Sequence, residues 1–356
     1  MVGKNNTLLV SVVDLQGKQV HQWDIDWFEL WGNAPHLQSI EQPKSKPGTH
    51  IHGAHILNNG DLVFNFEGLG LMRINACGNE VWKLPYRTHH SIYENSDQTL
   101  WVAGQINYFN DHPEDKTFKG PYLVEPTILQ ISPSGKILQE ISLFTVLKNN
   151  DLTGLLHLSS SDNLDTSVSE DFLHLNDIEI FQENLTQGTF DKGDILVSLR
   201  NINTLLVLDE QTLQVKYQIT GAFLRQHDPD FIDGNTISVY DNNNLGGKGK
   251  NGSSRIVLIN AEDNTLDVIY KGKKNQAFYS QIMGKHQWLK NGNLLITESM
   301  AGRAFEINPS KEIVWEFFNT IKPGWIGIIE EAERLPLEYN EDFFKEALDQ
   351  CNAPIQ

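Results

Sequence analysis

The chain has 356 residues and a formal net charge of −18. That charge argues against binding a nucleic-acid backbone, which needs clustered Lys and Arg. No apolar run is long enough for a membrane span, and two cysteines, Cys77 and Cys351, do not define a disulfide framework: they pair or remain free thiols.

Two hairpin patterns alternate from the N-terminus onward. The first begins at Asp14-Leu15-Gln16-Gly17, leading to Trp23, and returns at Asn75-Ala76-Cys77-Gly78, leading to Trp82. It recurs at Ser132-Pro133-Ser134-Gly135, Asp209-Glu210-Gln211-Thr212, Asn260-Ala261-Glu262-Asp263-Asn264 and Asn308-Pro309-Ser310-Lys311. In each, an apolar strand runs into Asp, Asn or Ser, then a polar turn, then a second strand. The interval of roughly 50 to 75 residues is near or above the length of a propeller blade.

The second pattern lies between copies of the first. A polar turn precedes an apolar strand at Asn59-Gly60-Asp61, Asp97-Gln98-Thr99, Gly193-Asp194, Asp233-Gly234-Asn235 and Asn291-Gly292-Asn293. Asn-Gly and Asp-Gly between apolar runs signal hairpins whose two turn positions both take φ > 0. Together the patterns predict an all-β propeller of four-stranded antiparallel blades, with five complete blades and an N-terminal half blade. The missing half is expected from the C-terminus or from residues before Met1. Residues 1–325 read as the propeller and 326–356 as a short helical C-terminal tail packed on it, broken in two at Pro336. Asn149 to Asp171 lacks blade character and reads as a long loop. Met1 to Leu9 lacks the basic and apolar regions of a signal peptide.

Of the 12 histidines, all but His21, His36, His112 and His157 cluster where the innermost strand of a blade is expected to begin. His50, His52 and His55 precede Gly60, and His89 and His90 precede Asp97. His174 opens His174-Leu175-Asn176-Asp177, His227 opens His227-Asp228-Pro229-Asp230, and His286 precedes Asn291. Taken singly, a histidine here more often bonds between blades than acts in chemistry. Four or five at matching repeat positions predict a ring of imidazoles at one mouth of a central channel, and a polar ring calls for a ligand. Arg200 ends the apolar strand from Ile195 to Leu199. Beside imidazoles it favours an anion, because its planar fork matches oxygens bidentately. Asn176 adds an amide donor.

The ordered set Thr88-His89-His90-Ser91-Ile92, His174-Leu175-Asn176-Asp177-Ile178, Ser198-Leu199-Arg200 and Gln226-His227-Asp228-Pro229 resembles the bacterial arylsulfate sulfotransferases. Asn291-Gly292-Asn293 and Val314-Trp315-Glu316 are similar too, although such elements occur in many propellers. The resemblance spans roughly residues 8 to 335 and implies a six-bladed propeller. It implies transfer of a sulfuryl group from a phenolic sulfate ester to a phenol, in a ping-pong reaction through a sulfated histidine and without a nucleotide sulfate donor. His227 would then be the nucleophile. His174, Asn176 and Arg200 would bind the sulfuryl oxygens, and His90 (or His89) would be the acid/base, with His52 and His89 on the substrate side. Ser91 stands where the family usually has Asp. The partners implied are a small aryl sulfate donor and a phenolic acceptor. No cofactor or metal site is assigned, and the resemblance points to a periplasmic or secreted protein. Two other readings remain. One is a metal enzyme with His52, His90, His174 and His227 at one centre and Arg200 facing away. The other is a non-catalytic propeller that binds a ligand or a protein.

Overall fold

A computed structural model describes residues 8–109, 118–158, 168–245, 253–273 and 276–352. It is an all-β propeller built from five four-stranded antiparallel blades. The first blade comprises Ile51–Ile56, Leu62–Phe66, Gly70–Ile74 and Glu80–Leu84. The second comprises Thr88–Glu94, Leu100–Phe109, Phe118–Ile131 and Ile137–Ser142, with Val168–Glu170 added in parallel to Phe118–Ile131. The third runs Leu175–Ile180, Ile195–Leu199, Thr204–Leu208, Val215–Thr220, and the fourth His227–Asp233, Thr236–Asp241, Arg255–Asn260, Leu266–Lys271. The fifth is Lys285–Trp288, Leu294–Glu298, Arg303–Ile307 and Ile313–Phe318. In every blade the strands pair in sequence order.

The hairpin chemistry explains the repeats. The leading Asp, Asn or Ser of the first pattern accepts hydrogen bonds from its own turn. Asp14 Oδ1 takes the N–H groups of Gln16 and Lys18 at 2.9 and 2.8 Å. Asn75 Oδ1 takes those of Cys77 and Asn79, both at 3.0 Å, and Asp209 and Ser132 do the same. This local bonding mimics a backbone turn and fixes where the strand stops. The second pattern departs from expectation, because each turn has at most one left-handed residue, not two. Gly60, Gln98 and Gly292 take φ of 83°, 65° and 82°, which fits a longer turn closed by one αL residue. Gly234 is not left-handed. Its glycine is required because a Cβ there would stand 2.1 Å from the Gly188 amide nitrogen.

The two middle strands of a blade are buried on both faces. Leu62–Phe66, Ile195–Leu199 and Thr204–Leu208 are buried throughout, whereas the outer strand Ile313–Phe318 alternates half-buried and exposed residues. Continuous apolar runs inside and alternation outside are what these two environments select.

The six-bladed expectation needs correction. The N-terminal strands Leu8–Val13 and Gln19–Ile25 form a two-stranded sheet, and no strand among the described residues extends it. The helix Glu341–Asn352 packs on Gln19–Ile25 instead, with the Phe344 ring stacked on His21 at 4.6 Å and edge-on to Trp23 at 5.8 Å. Cys77 and Cys351 form a disulfide that ties this helix to a turn of the first blade. Among the described residues of the tail only the second of the two expected helical pieces is a helix. From Glu330 to Arg334 the backbone instead bonds to side chains of the fifth blade. The Ala332 N–H donates to Thr297 Oγ1 and the Arg334 N–H to Gln287 Oε1, partners that an intrahelical ladder would have replaced. Of the long loop expected between Asn149 and Asp171, Thr153–His157 is a 3-10 turn and Val168–Glu170 a strand, and residues 159–167 lie outside the described set.

The chain divides into two compact units, Met1–Ile92 with Gly284–Gln356, and Tyr93–Met283. The first has an aromatic core that includes Trp23, Trp27, Phe64, Phe66 and Phe344. The second has two cores, one around Trp101, Leu123 and Val197, the other around Phe190, Phe231 and Val257.

Candidate active site

In the unit of residues 93–283, His227 opens the first strand of the fourth blade and is buried. It pairs with Tyr240 across the sheet. The next residue, Asp228, is the extra residue of a bulge with φ of 48°. A bulge re-aims the side chains beside it. Two residues past Tyr240, buried Asn242 turns back on the histidine, with its Oδ1 2.7 Å from His227 Nδ1. The Asn242 amide nitrogen donates to two carbonyls, Ser280 O at 3.0 Å and Met283 O at 2.7 Å. Carbonyls only accept, so the amide has one orientation, and its oxygen must accept from His227. A second acceptor, Arg225 O, lies 3.2 Å from the same Nδ1. His227 Nδ1 therefore carries the proton, and Nε2 carries the lone pair. Burial, with the Arg200 guanidinium and His174 nearby, holds the imidazole down to about 3, against the opposing pull of the Asn242 bond. The ring is neutral at any physiological pH.

Gln226 anchors this strand to the third blade. Its Nε2 donates to Ser198 Oγ at 3.0 Å and to Thr204 O at 3.2 Å, and its own carbonyl accepts from Asn176 Nδ2 at 2.8 Å. One donor of Asn176 is thus spent on holding the strand that carries His227. Asn176, like Asp228, is the extra residue of a bulge, between Leu175 and Asp177.

His174 precedes the third blade in a left-handed conformation, φ 54°. Asp171 fixes it twice: Oδ1 accepts from the His174 N–H at 3.1 Å, and Oδ2 accepts from the ring Nδ1. Arg200 begins the 3-10 turn Arg200–Ile202, and its N–H donates to His174 O at 3.0 Å. Asn201 N donates to Leu173 O, also at 3.0 Å. The arginine-bearing turn is in this way fastened to the histidine-bearing one. Asn201 Oδ1 takes Arg200 Nε at 3.3 Å and Arg225 Nη1 as well. The sequence reading missed Asp171, Asn201, Arg225 and Asn242. For Asn242 a signal exists, three consecutive asparagines after a strand end at Asp241.

The unit that includes residues 1–92 holds His52, His89 and His90. The His52 and His90 rings lie 4.0 Å apart between centroids. His89 and His90 are buried, with Nδ1 facing Nδ1 at 2.8 Å. Such a contact needs one proton between two nitrogens, so the pair holds one donor and one acceptor there. His90 takes φ of 59°, and its carbonyl accepts from Asn65 Nδ2 at 2.8 Å. His52 Nδ1 faces Glu67 Oε2 at 3.3 Å. Of the other clustered histidines, His55 lies on Ile51–Ile56 and His286, buried, on Lys285–Trp288. The histidines thus sit at or near the first strand of their blades.

A family model described as Arylsulfotransferase (ASST) matches residues 53–320, most of the chain. No curated protein matches. Among solved structures, a protein of unknown function from Bacteroides caccae is similar, with a TM-score of 0.54 at 14% identity, covering 92% of this chain and 95% of that one. Virginiamycin B lyase from Staphylococcus aureus matches with a TM-score of 0.41 at 14% identity, over 75% of this chain and 69% of that one. The Pan2 WD40 domain from Neurospora crassa matches with a TM-score of 0.44 at 10% identity, over 90% of this chain and 75% of that one. At these identities the first likeness speaks for the fold alone, and the other two carry no argument.

Proposed function

Because the chain belongs to the arylsulfotransferase (ASST) family, we propose that it moves a sulfuryl group from an aryl sulfate to a phenol through a sulfated His227. Family membership supports an aryl sulfotransferase function and small-molecule substrates. No helix among the described residues is long and apolar enough to cross a membrane.

The observation that carries the proposal is the locked tautomer of His227. A nucleophilic imidazole needs a lone pair on the attacking nitrogen and a neutral ring. Asn242, itself oriented by two carbonyls, supplies the first, and burial beside Arg200 supplies the second. In the first half-reaction His227 Nε2 attacks sulfur. The bond from sulfur to the aryl oxygen breaks, and the phenolate leaves with the electron pair and takes up a proton. In the second, a phenol oxygen gives up its proton and attacks sulfur. The N–S bond then breaks and returns the lone pair to Nε2. Charge builds on the equatorial oxygens in both steps, where Arg200 serves as donor, joined by His174 when its Asp171-bonded ring is protonated on both nitrogens. Asn176 acts chiefly by holding the Gln226–His227 strand.

The Arg200 N–H bonds the His174 carbonyl, and an arginine carried beside that histidine favours an anion over the cation of the metal reading. Steady-state kinetics with a chromogenic aryl sulfate and a phenol test the proposal. Parallel double-reciprocal lines, and loss of turnover in His227→Ala, are expected. Intersecting lines, or turnover retained in His227→Ala, overturn it.

A further inference from the structure

We propose that His50, His52 and Glu67 form a binding site for a first-row divalent metal ion, with zinc as the natural fit. Glu67 directly follows the strand Leu62–Phe66, and its N–H donates to His50 O at 3.1 Å, which places the two residues opposite each other. His52 lies two residues beyond His50, on the same face of an extended segment. The side chains converge. His50 Nε2 is 3.4 Å from His52 Nδ1, which is 3.3 Å from Glu67 Oε2. One ligand atom from each of the three lies within 4.8 Å of the other two.

These spacings suit a metal. Bonds of about 2.0 to 2.2 Å at tetrahedral angles separate neighbouring ligand atoms by roughly 3.3 to 3.5 Å. Two imidazoles and one carboxylate are a donor set that zinc accepts, and three protein ligands leave a fourth position for water or an oxyanion. His50 is exposed, and His52 and Glu67 are half-buried, so an ion can enter from solvent. The alternative is a plain ion pair between protonated His52 and Glu67. It leaves the approach of a second imidazole nitrogen to the same His52 atom unexplained. The proposal does not depend on the sulfuryl transfer described above.

Titration of the full-length metal-free protein with CoCl2, read by visible absorption, tests it. One Co2+ per chain with d–d bands, displaced by ZnCl2, is expected. His50→Ala and Glu67→Gln should each weaken binding by at least tenfold. His50 is exposed, so its variant should keep the thermal midpoint, and it reports on the site even where Glu67→Gln folds poorly. The ion-pair account predicts no d–d bands, or bands unchanged in His50→Ala, and either result overturns the proposal. Because the readout is metal binding, its failure is distinct from failure of the transferase reading.

Discussion

A Cβ built on residue 53 would stand 1.9 Å from the carbonyl oxygen of His90. Gly53 has φ of 95° and lies in the bulge of the first blade's leading strand, and that same carbonyl accepts from Asn65. The backbone of His90 is thus set by a close approach that only glycine permits. Gly53→Ala should cost more than about 2 kcal/mol of stability in denaturant titrations, through steric clash and backbone strain. Asn65→Ala should cost about 1 to 3 kcal/mol for the lost buried hydrogen bonds.

Asn242 holds His227 by Nδ1, the ring nitrogen that does not attack in the proposed reaction. Asn242→Leu keeps approximate size but removes the acceptor on Nδ1, freeing the ring to rotate or change tautomer. Turnover should fall by about 10²-fold or more, with little change in KM for the donor. A parallel rise in KM with unchanged kcat would place Asn242 in substrate binding instead.

The protonation of His227 has a pH signature. Its folded value near 3 lies below the unfolded value of about 6.5. Between these limits the unfolded chain binds one more proton, so this residue's contribution is full above about 6.5 and is lost as pH falls toward 3. His227→Gln should flatten the stability profile across that window. For a donor with a good leaving group, kcat/KM should show no acid limb near 6.5. A limb there would mean that the nucleophile titrates normally.

The Cys77–Cys351 disulfide closes a separation of 274 residues and holds the helix that covers the N-terminal hairpin. Reduction, or Cys351→Ser, should lower stability by about 2 to 5 kcal/mol. Differential scanning calorimetry with and without reductant measures this. The contacts of Phe344 with His21 and Trp23 make Phe344→Ala destabilising by about 3 to 5 kcal/mol as well.

Much of this fold is legible because its signals are local. Asp14, Asn75 and Asp209 bond within their own turns, so the residue that ends each strand names itself in the sequence. The N-terminal half blade is legible in the same way, from the Asp14 turn, and stands as the two-stranded sheet; what covers it is not. Whether strands or a helix complete it depends on distant packing by Phe344, which no turn motif reports. The failure of the first tail helix has the same cause, since Thr297 and Gln287 capture the backbone from far away in sequence. At the site, His174 and His227 stood out by their place before a blade's hairpin, and Arg200 by ending an apolar strand. Asn242 and Asp171 did not, because their roles arise from contacts across turns rather than from spacing. Asn176 was read as a substrate donor, and only the fold reveals its bond to the Gln226 carbonyl.

The most direct test of the central claim is intact mass spectrometry of the protein incubated with an aryl sulfate and no acceptor. The account predicts an adduct of about 80 Da that is absent in His227→Ala and is discharged by adding a phenol. A protein that turns over donor to acceptor while forming no adduct, or one that keeps the adduct in His227→Ala, would contradict it.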